Sequence, residues 1–513
     1  MGKNFYITTP IYYPSAKPHM GHAYSSIVAD FFARFKIIDD YKVHFLTGTD
    51  EHGLKIQRSA ERAGETPQKF CDQISKTFRD LSDTLNLCNT DFIRTTEDRH
   101  KKTVQHLWSE LEKNDDIYLS NYSGWYSVSD EAFYNEDEIE EIDGKKIAIS
   151  SKSQVEWIEE ESYFFRLSKW EKPLLKYYEE NPDFIYPESR RNEVISFVKN
   201  GLKDLSVSRK SFSWGIPVPG NKNHVIYVWL DALTNYLSTL NYPNEEDELF
   251  KKFWPASIHL IGKDILRFHA VYWPAFLLAA KIDLPKRVYG HGWILSGEEK
   301  MSKSKGNILD PLEIIKEYGL DPLRYYLIKE VSFGNDGNIS QDRLEDCINS
   351  DLANNYGNLC QRVTAFAIKN CDGKIPSEIK FQDEDLLILN KYQDSLDKIR
   401  SKIDHQNINF YIDYIVNSLF EANKYFNDQE PWKKKDDKIR LNTIVYTALE
   451  IVRKISFLLY PIIPESSLKA LKIFDINETQ IRLNTISNND YLTKGNNINK
   501  IDILFQKIEK NND

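Results

Sequence analysis

Two short stretches, far apart in the chain, carry residue types that could do phosphate chemistry. Pro18-His19-Met20-Gly21-His22 sets two imidazoles three residues apart with a glycine between them, and Lys300-Met301-Ser302-Lys303-Ser304 sets two ammonium groups on a flexible loop. Cations and imidazoles are what a protein needs to hold a triphosphate and to offset charge moving through its α-phosphorus. His19, Gly21, His22, Lys300, Ser302 and Lys303 form the candidate ATP-binding set, with His19, His22, Lys300 and Lys303 as its catalytic members. Either stretch alone has a plain alternative, such as two surface histidines beside a helix start. Their joint presence is what points to ATP activation.

The elements that must position these groups follow from apolar periodicity. Phe5-Tyr6-Ile7-Thr8-Thr9 reads as a short buried strand ended by Pro10. Ala23, Ile27, Val28, Phe31 and Phe32 recur at helical spacing, so a helix begins near Gly21. Val43 to Thr47 is the next strand, followed by Gly48-Thr49-Asp50-Glu51-His52-Gly53. A parallel sheet built this way binds ligands at the carboxyl ends of its strands, where Thr9 to His22 and Thr47 to Gly53 both lie. A helix start there favours phosphate, and Gly21 permits close approach of a nucleotide.

Residues 115 to about 222 break this rhythm and read as a β-rich insertion, with the acidic run Glu136 to Glu141 leading into an Asp143-Gly144 turn as a solvated hairpin edge. The α/β pattern resumes at Val225 to Trp229, a strand-like run. If the chain is helical from Trp229, then Trp229, Ala232 and Tyr236 share one face. Ile258 to Ile261 is another buried strand. Asp264 is the expected N-cap of a helix that places Ile265, Phe268 and His269 together. For both aromatic stripes the alternative is ordinary core.

Bulk properties bound the class. At 513 residues the chain holds about three domains. The first twenty residues lack an apolar run behind a basic start, so no secretory signal is expected, and no run of about 18 apolar residues predicts a membrane span. The five cysteines form no C-x-x-C pair, which predicts free thiols in a reducing compartment and hence a cytoplasmic location. A net charge of -10 speaks against non-specific nucleic-acid binding, and no DNA partner is expected. It leaves room for RNA held by a local basic stripe.

His19-Met20-Gly21-His22, Lys300 to Ser304, Tyr227-Val228-Trp229-Leu230-Asp231-Ala232-Leu233-Thr234-Asn235-Tyr236 and Gly262-Lys263-Asp264-Ile265-Leu266-Arg267-Phe268-His269 closely resemble the signature stretches of the methionyl-tRNA synthetases, a class I aminoacyl-tRNA synthetase family. The resemblance runs from Tyr6 to about Trp432. It implies a Rossmann-like parallel-sheet α/β catalytic domain in two halves (1–114 and 223–290), split by a connective insertion (115–222). A linker bearing the lysine loop (291–345) and an all-α anticodon-binding bundle (346–513) follow. It also implies two-step ligation of methionine to initiator and elongator methionine tRNAs through methionyl-adenylate, with ATP and Mg²⁺. Asp50 would hold the substrate ammonium, with Ile11 and Tyr12 nearby. Trp229, Ala232, Tyr236, Ile265 and His269 would form the thioether pocket. Asn358, Arg362 and Trp432 match anticodon-reading positions, the alternative being a helix pair with a buried Trp432.

Two departures from the family pattern shape the expectation. Many members carry zinc knuckles in the insertion, but Trp125 to Tyr134 has Ser127 and Asp130 and no cysteine, so no structural zinc is expected. Some bacterial members add a C-terminal dimerisation domain for which Ile501 to Asp513 leaves no room, so a monomer is expected. Three rivals stand: a nucleotidylyltransferase, a synthetase for another amino acid, and a non-catalytic RNA-binding relative. The helical third opposes the first. Trp229, Ala232, Tyr236 and His269 together oppose the second, and the intact histidines and lysines oppose the third.

Overall fold

The computed structural model describes residues 3–14, 17–130, 132–142, 144–296, 299–300 and 310–509. The chain divides into two compact units, one of residues 4–18 and 43–291, the other of 1–3, 19–42 and 292–513.

The first unit is built on a six-stranded sheet of β1 (Asn4–Thr8), β2 (Lys42–Thr49), β3 (Asp91–Arg94), β4 (Ile185–Tyr186), β5 (Ile258–Gly262) and β6 (Val288–His291), in the order β3-β2-β1-β5-β6-β4. The β2/β3, β1/β5, β5/β6 and β6/β4 pairs are parallel. Phe5 to Thr8 and His44 to Thr49 are buried without alternation, as parallel strands covered on both faces require. From β1 the chain fills one side of the sheet with β2 and β3, then crosses to β5 and β6 on the other. The β1/β5 boundary is therefore the topological switch point at which such sheets bind ligands.

The insertion is less purely β than its composition suggests. Ile117–Ser127 pairs antiparallel with Glu156–Phe165 along ten residues, and Ile139–Ile142 with Lys145–Ala148 forms the expected acidic hairpin. Two helices, Glu171–Glu180 and Glu188–Lys199, follow, and between them lies β4, the edge strand of the main sheet. The inserted segment thus completes the sheet that it interrupts.

The second unit carries α1 (Met20–Ile38) and the C-terminal helices. Helix α1 is buried almost all round, polar residues included. Asp30 accepts from Arg34 Nε at 2.8 Å and from Arg324 Nη2 at 2.5 Å, and Arg324 Nε donates to Ile462 O at 2.8 Å. Further on, Leu344, Ile348, Leu352 and Tyr356 repeat at intervals of four, which overshoots the 3.6-residue turn. The backbone widens to π geometry over Ile348–Gly357, and all four side chains stay buried. The remaining long helices, Asn358–Asn370, Asp383–Asp404, Ile408–Asp428 and Lys438–Leu459, are those expected of an all-α bundle.

Candidate active site

His19 is the N-cap of α1 in extended geometry, and its Nδ1 accepts from the Gly21 N–H at 3.1 Å. Nδ1 of His22 accepts from the His19 N–H at 3.1 Å, which closes a capping box made of two imidazoles. The rings lie 3.8 Å apart. Burial, and then the neighbouring His19, push the His22 pKa well below its ordinary value, so that ring is neutral. With Nδ1 accepting, each ring carries its proton on Nε2 and presents an N–H donor, the polarity a phosphate oxygen requires. Gly21 has a second reason beyond nucleotide access, since a Cβ there would lie 3.0 Å from His19 Cε1 and displace the capping ring.

Of the lysine loop, the backbone of Lys300 is described: Glu299–Lys300 pairs antiparallel with Ile294–Ser296. Ser302 and Lys303 lie outside the described residues.

In the sheet-bearing unit, the segments after β1 and β2 are zipped together. Tyr12 N–H donates to Gly48 O at 2.8 Å and Asp50 N–H to Tyr12 O at 2.9 Å. Gly48 is obligatory there, because a Cβ would meet Ile93 O at 2.0 Å. The Tyr12 ring stacks on Phe78 at 5.6 Å, and Asp50 is buried beside it in the chain path. Ile11 is half-buried at the same strand end.

Trp229 and Ala232 lie on a short helix, α2 (Val228–Leu233), and Tyr236 on the next, α3 (Asn235–Ser238). The expected single helical face is thus broken at Thr234, and the strand before it ends at Ile226 rather than running to Trp229. The second stripe also departs from expectation. Gly262, not Asp264, is the N-cap, because a 3₁₀ turn opens at Lys263 and puts Asp264 inside the first turn. Phe268–Tyr272 then bonds in π geometry before α4 (Trp273–Ala279). Pro274 has no N–H to offer Ala270 O, and the Tyr178 hydroxyl donates to that carbonyl at 2.6 Å instead.

These turns bring the predicted aromatic groups together. The Tyr236 hydroxyl meets His269 Nε2 at 2.7 Å, while His269 Nδ1 meets Ile265 O at 3.0 Å. The Trp229 ring lies flat on Phe268 at 3.7 Å and 3°, with His269 edge-on to it at 6.2 Å. The Trp229 indole Nε1 is buried with no hydrogen-bond partner among the described residues. Burial lowers His269 to about 4 and raises the Tyr236 phenol, so both are neutral near pH 7. A neutral, aromatic-walled site with one hydroxyl suits a flexible thioether. Phe268 and His259, which stacks on Tyr236 at 4.0 Å, were not among the predicted site residues. A run of aromatics at helical spacing does not distinguish wall from core.

In the helical unit, Asn358 is exposed on Asn358–Asn370, and Arg362 Nη2 donates to Asn427 Oδ1 at 2.6 Å. The Arg362 guanidinium sits 5.6 Å from the Phe426 ring, which also meets the rings of Phe366 at 5.8 Å and Trp432 at 6.3 Å. Trp432 is 42% exposed, which rules out the buried-tryptophan alternative. Phe426, which contacts two of the predicted residues, was not singled out from the sequence.

In the insertion, Asp130 collects three hydroxyls: Tyr134 at 2.8 Å, Ser151 at 2.6 Å and Ser153 at 2.8 Å. Its carboxylate thereby ties Tyr134 to Ser151 and Ser153. Among the described residues, no helix is long and apolar enough to cross a membrane.

Residues 5–146 and 140–364 match the family described as tRNA synthetases class I (M), and residues 375–513 match the anticodon binding domain of methionyl tRNA ligase. A methionine–tRNA ligase of Brucella suis is 49% identical over 92% of both chains. One from Rickettsia conorii is 48% identical over 99% of this chain and 100% of its own. The solved methionyl-tRNA synthetase of Mycobacterium tuberculosis in complex with methionyl-adenylate has a TM-score of 0.95 and 45% identity, covering 98% of this chain and 99% of that one. Its apo form has a TM-score of 0.89 and 41% identity.

Proposed function

The chain belongs to the class I methionyl-tRNA synthetases, and from that premise we propose which of its residues perform each step. The enzyme is a methionine–tRNA ligase. It condenses methionine with ATP to methionyl-adenylate, releasing pyrophosphate, and then transfers the methionyl group to the 3′-terminal adenosine of tRNA.

In this assignment His19, Gly21 and His22, with Lys300, Ser302 and Lys303, bind ATP. The carboxylate of methionine is already a nucleophile at neutral pH, so the first step needs in-line placement and charge neutralisation rather than a base. The imidazole N–H groups and the lysines supply donors and positive charge to the phosphates. Magnesium arrives as MgATP: a hard cation prefers phosphate and water oxygens, and N–H donors face those oxygens rather than the ion. Asp50 takes the ammonium beside Ile11 and Tyr12, and Trp229, Ala232, Tyr236, Ile265 and His269 take the thioether. Asn358, Arg362 and Trp432 read the anticodon of initiator and elongator methionine tRNAs. The enzyme works as a cytoplasmic monomer without zinc and without a DNA partner, and it keeps the five-part division expected from the sequence.

The observation that best supports this assignment is the Tyr236–His269 bond beneath Trp229, a polar but uncharged floor in an aromatic site. ATP–pyrophosphate exchange measured with each of the standard amino acids tests it. Methionine alone is expected to support exchange; exchange driven equally by leucine or isoleucine, or by none, overturns the assignment.

A further inference from the structure

Asp231 lies on α2 between two of the thioether-pocket residues, Trp229 and Ala232, yet it faces away from solvent entirely. Its Oδ2 is 2.6 Å from His52 Nδ1 and its Oδ1 is 2.7 Å from His100 Nε2. His100 is fully buried and His52 only 3% exposed. Nδ1 of His100 lies 2.9 Å from Ser238 Oγ, and the Ser238 proton goes to Thr234 O at 3.0 Å. Burial would push the Asp231 carboxyl up, but the two imidazoles outweigh it and hold the group below the usual carboxylate range.

The partners give this arrangement its direction. His52 is two residues beyond Asp50, in the segment that leaves β2. Ser238 is two residues beyond Tyr236, on α3. One carboxylate therefore ties together the segment carrying Asp50, the helix carrying Trp229 and Ala232, and through His100 the helix carrying Tyr236. The Asp50 segment is also held from its other side. Glu51 accepts from Arg94 Nε at 2.7 Å and Thr96 Oγ1 at 2.6 Å, Trp214 Nε1 donates to Glu51 O at 2.6 Å, and the Tyr13 hydroxyl donates to His52 O at 2.9 Å. Nothing in core packing requires a buried charge between two imidazoles, and removing one partner of such a group is costly.

We propose that Asp231, bridged by His52 and His100, is a positioning residue for methionine that sets the distance between the group gripping its ammonium and the groups gripping its thioether. This rests on the roles assigned above to Asp50 and Trp229. Asp231 does not touch substrate; it acts by keeping the two ends of the amino-acid site in register.

Exchange kinetics on the full chain test this. Asp231→Asn turns one acceptor into a donor facing an imidazole N–H. It should lower kcat/KM for methionine on the order of 100-fold, the cost of an ångström-scale misplacement, with the KM for ATP unchanged. His52→Asn keeps a donor near the Nδ1 position and should restore most of what His52→Ala loses, so the pair decides the matter if Asp231→Asn does not fold. In an Asp50→Ala background, Asp231→Asn should add little. Wild-type methionine kinetics in folded His52→Ala, or equal losses for ATP and methionine, overturn the proposal. If Asp50→Ala lowers kcat/KM for methionine while Asp231→Asn does not, the positioning role alone falls. If Asp50→Ala leaves kcat/KM for methionine unchanged, the ammonium assignment falls and this proposal with it.

Discussion

Tyr236 donates its hydroxyl to Nε2 of His269 over 2.7 Å, and the other ring nitrogen donates to Ile265 O over 3.0 Å. With one nitrogen accepting and one donating, the imidazole is a neutral ring with a single tautomer. The floor of the proposed methionine site is polar without being charged, a lining that suits a thioether better than an acidic or basic side chain. Tyr236→Phe strips the donor and leaves a buried nitrogen unmet, at a cost of about 1–3 kcal/mol. The expected outcome is a 10- to 100-fold fall in kcat/KM for methionine in exchange assays, with the ATP KM unmoved. An unchanged methionine KM would take the hydroxyl out of substrate recognition.

Burial holds two histidines of the sheet-bearing unit, His269 and His44, at about 4. A folded-state pKa below the ordinary 6.5 means the unfolded chain binds the proton first. Stability is therefore full above pH 6.5 and lost as the pH falls through 4. The urea midpoint should drop steadily across that window. His44 lies outside the proposed site, between Thr239 Oγ1 and Thr90 Oγ1 at 2.9 and 3.0 Å. His44→Asn should flatten the slope while leaving exchange activity near pH 7.5 intact; an unaltered slope would show that other groups set it.

Lys303 is assigned to charge that develops on the phosphates in the transition state, not to the ground state of methionine. Losing one such electrostatic contact costs about 10²–10³ in rate. Lys303→Ala should therefore cut exchange by that factor, while methionine binding, followed by intrinsic tryptophan fluorescence, stays at the wild-type value. Wild-type exchange would remove the loop from the mechanism.

Arg324 is fully buried, with its guanidinium on Asp30 and on the carbonyls of Pro461 and Ile462. Arg324→Ala leaves the Asp30 charge short of a partner and should cost about 3–5 kcal/mol. Chemical denaturation would show this as a lower midpoint with the same slope.

Much of this was legible in the chain because the signals were local. The strands at Phe5 to Thr9, Val43 to Thr47 and Ile258 to Ile261, the start of α1 near Gly21 and the all-α character of the C-terminal third follow from spacing alone, whereas the short strands Asp91–Arg94, Ile185–Tyr186 and Val288–His291 do not. Apart from one local miss at an N-cap, the misses share one physical cause, which is that geometry was settled by partners distant in sequence. Gly262 displaced Asp264 as N-cap because the turn opens as 3₁₀. The irregular helix bearing His269 depends on Pro274 and on a hydroxyl from Tyr178, 92 to 96 residues earlier in the chain. Phe426 was not singled out, and Phe268 was placed on the stripe with Ile265 and His269 but not in the predicted pocket, since nothing in periodicity separates a ring that stacks on a candidate site residue from one that fills core. Asp231 was passed over for the same reason: its two histidines lie 179 and 131 residues away.

The assignment of Asn358, Arg362 and Trp432 to anticodon reading, with Phe426 beside the last two, makes a prediction that separates the two halves of the reaction. An exposed tryptophan edge-on to a phenylalanine, with a guanidinium 5.6 Å from that ring, offers a stacking platform and a planar donor to unpaired bases. Removing a stacking ring costs about 1–3 kcal/mol per base. Trp432→Ala should raise the KM for methionine tRNA by 10- to 100-fold and leave ATP–pyrophosphate exchange at the wild-type rate, because adenylate formation does not involve tRNA. Phe426→Leu should weaken tRNA binding less than Trp432→Ala, since it loosens the platform without deleting its exposed face. Equal losses of aminoacylation and exchange would point instead to a folding defect in the helical unit, and a normal tRNA KM in a folded Trp432→Ala protein would place the anticodon elsewhere.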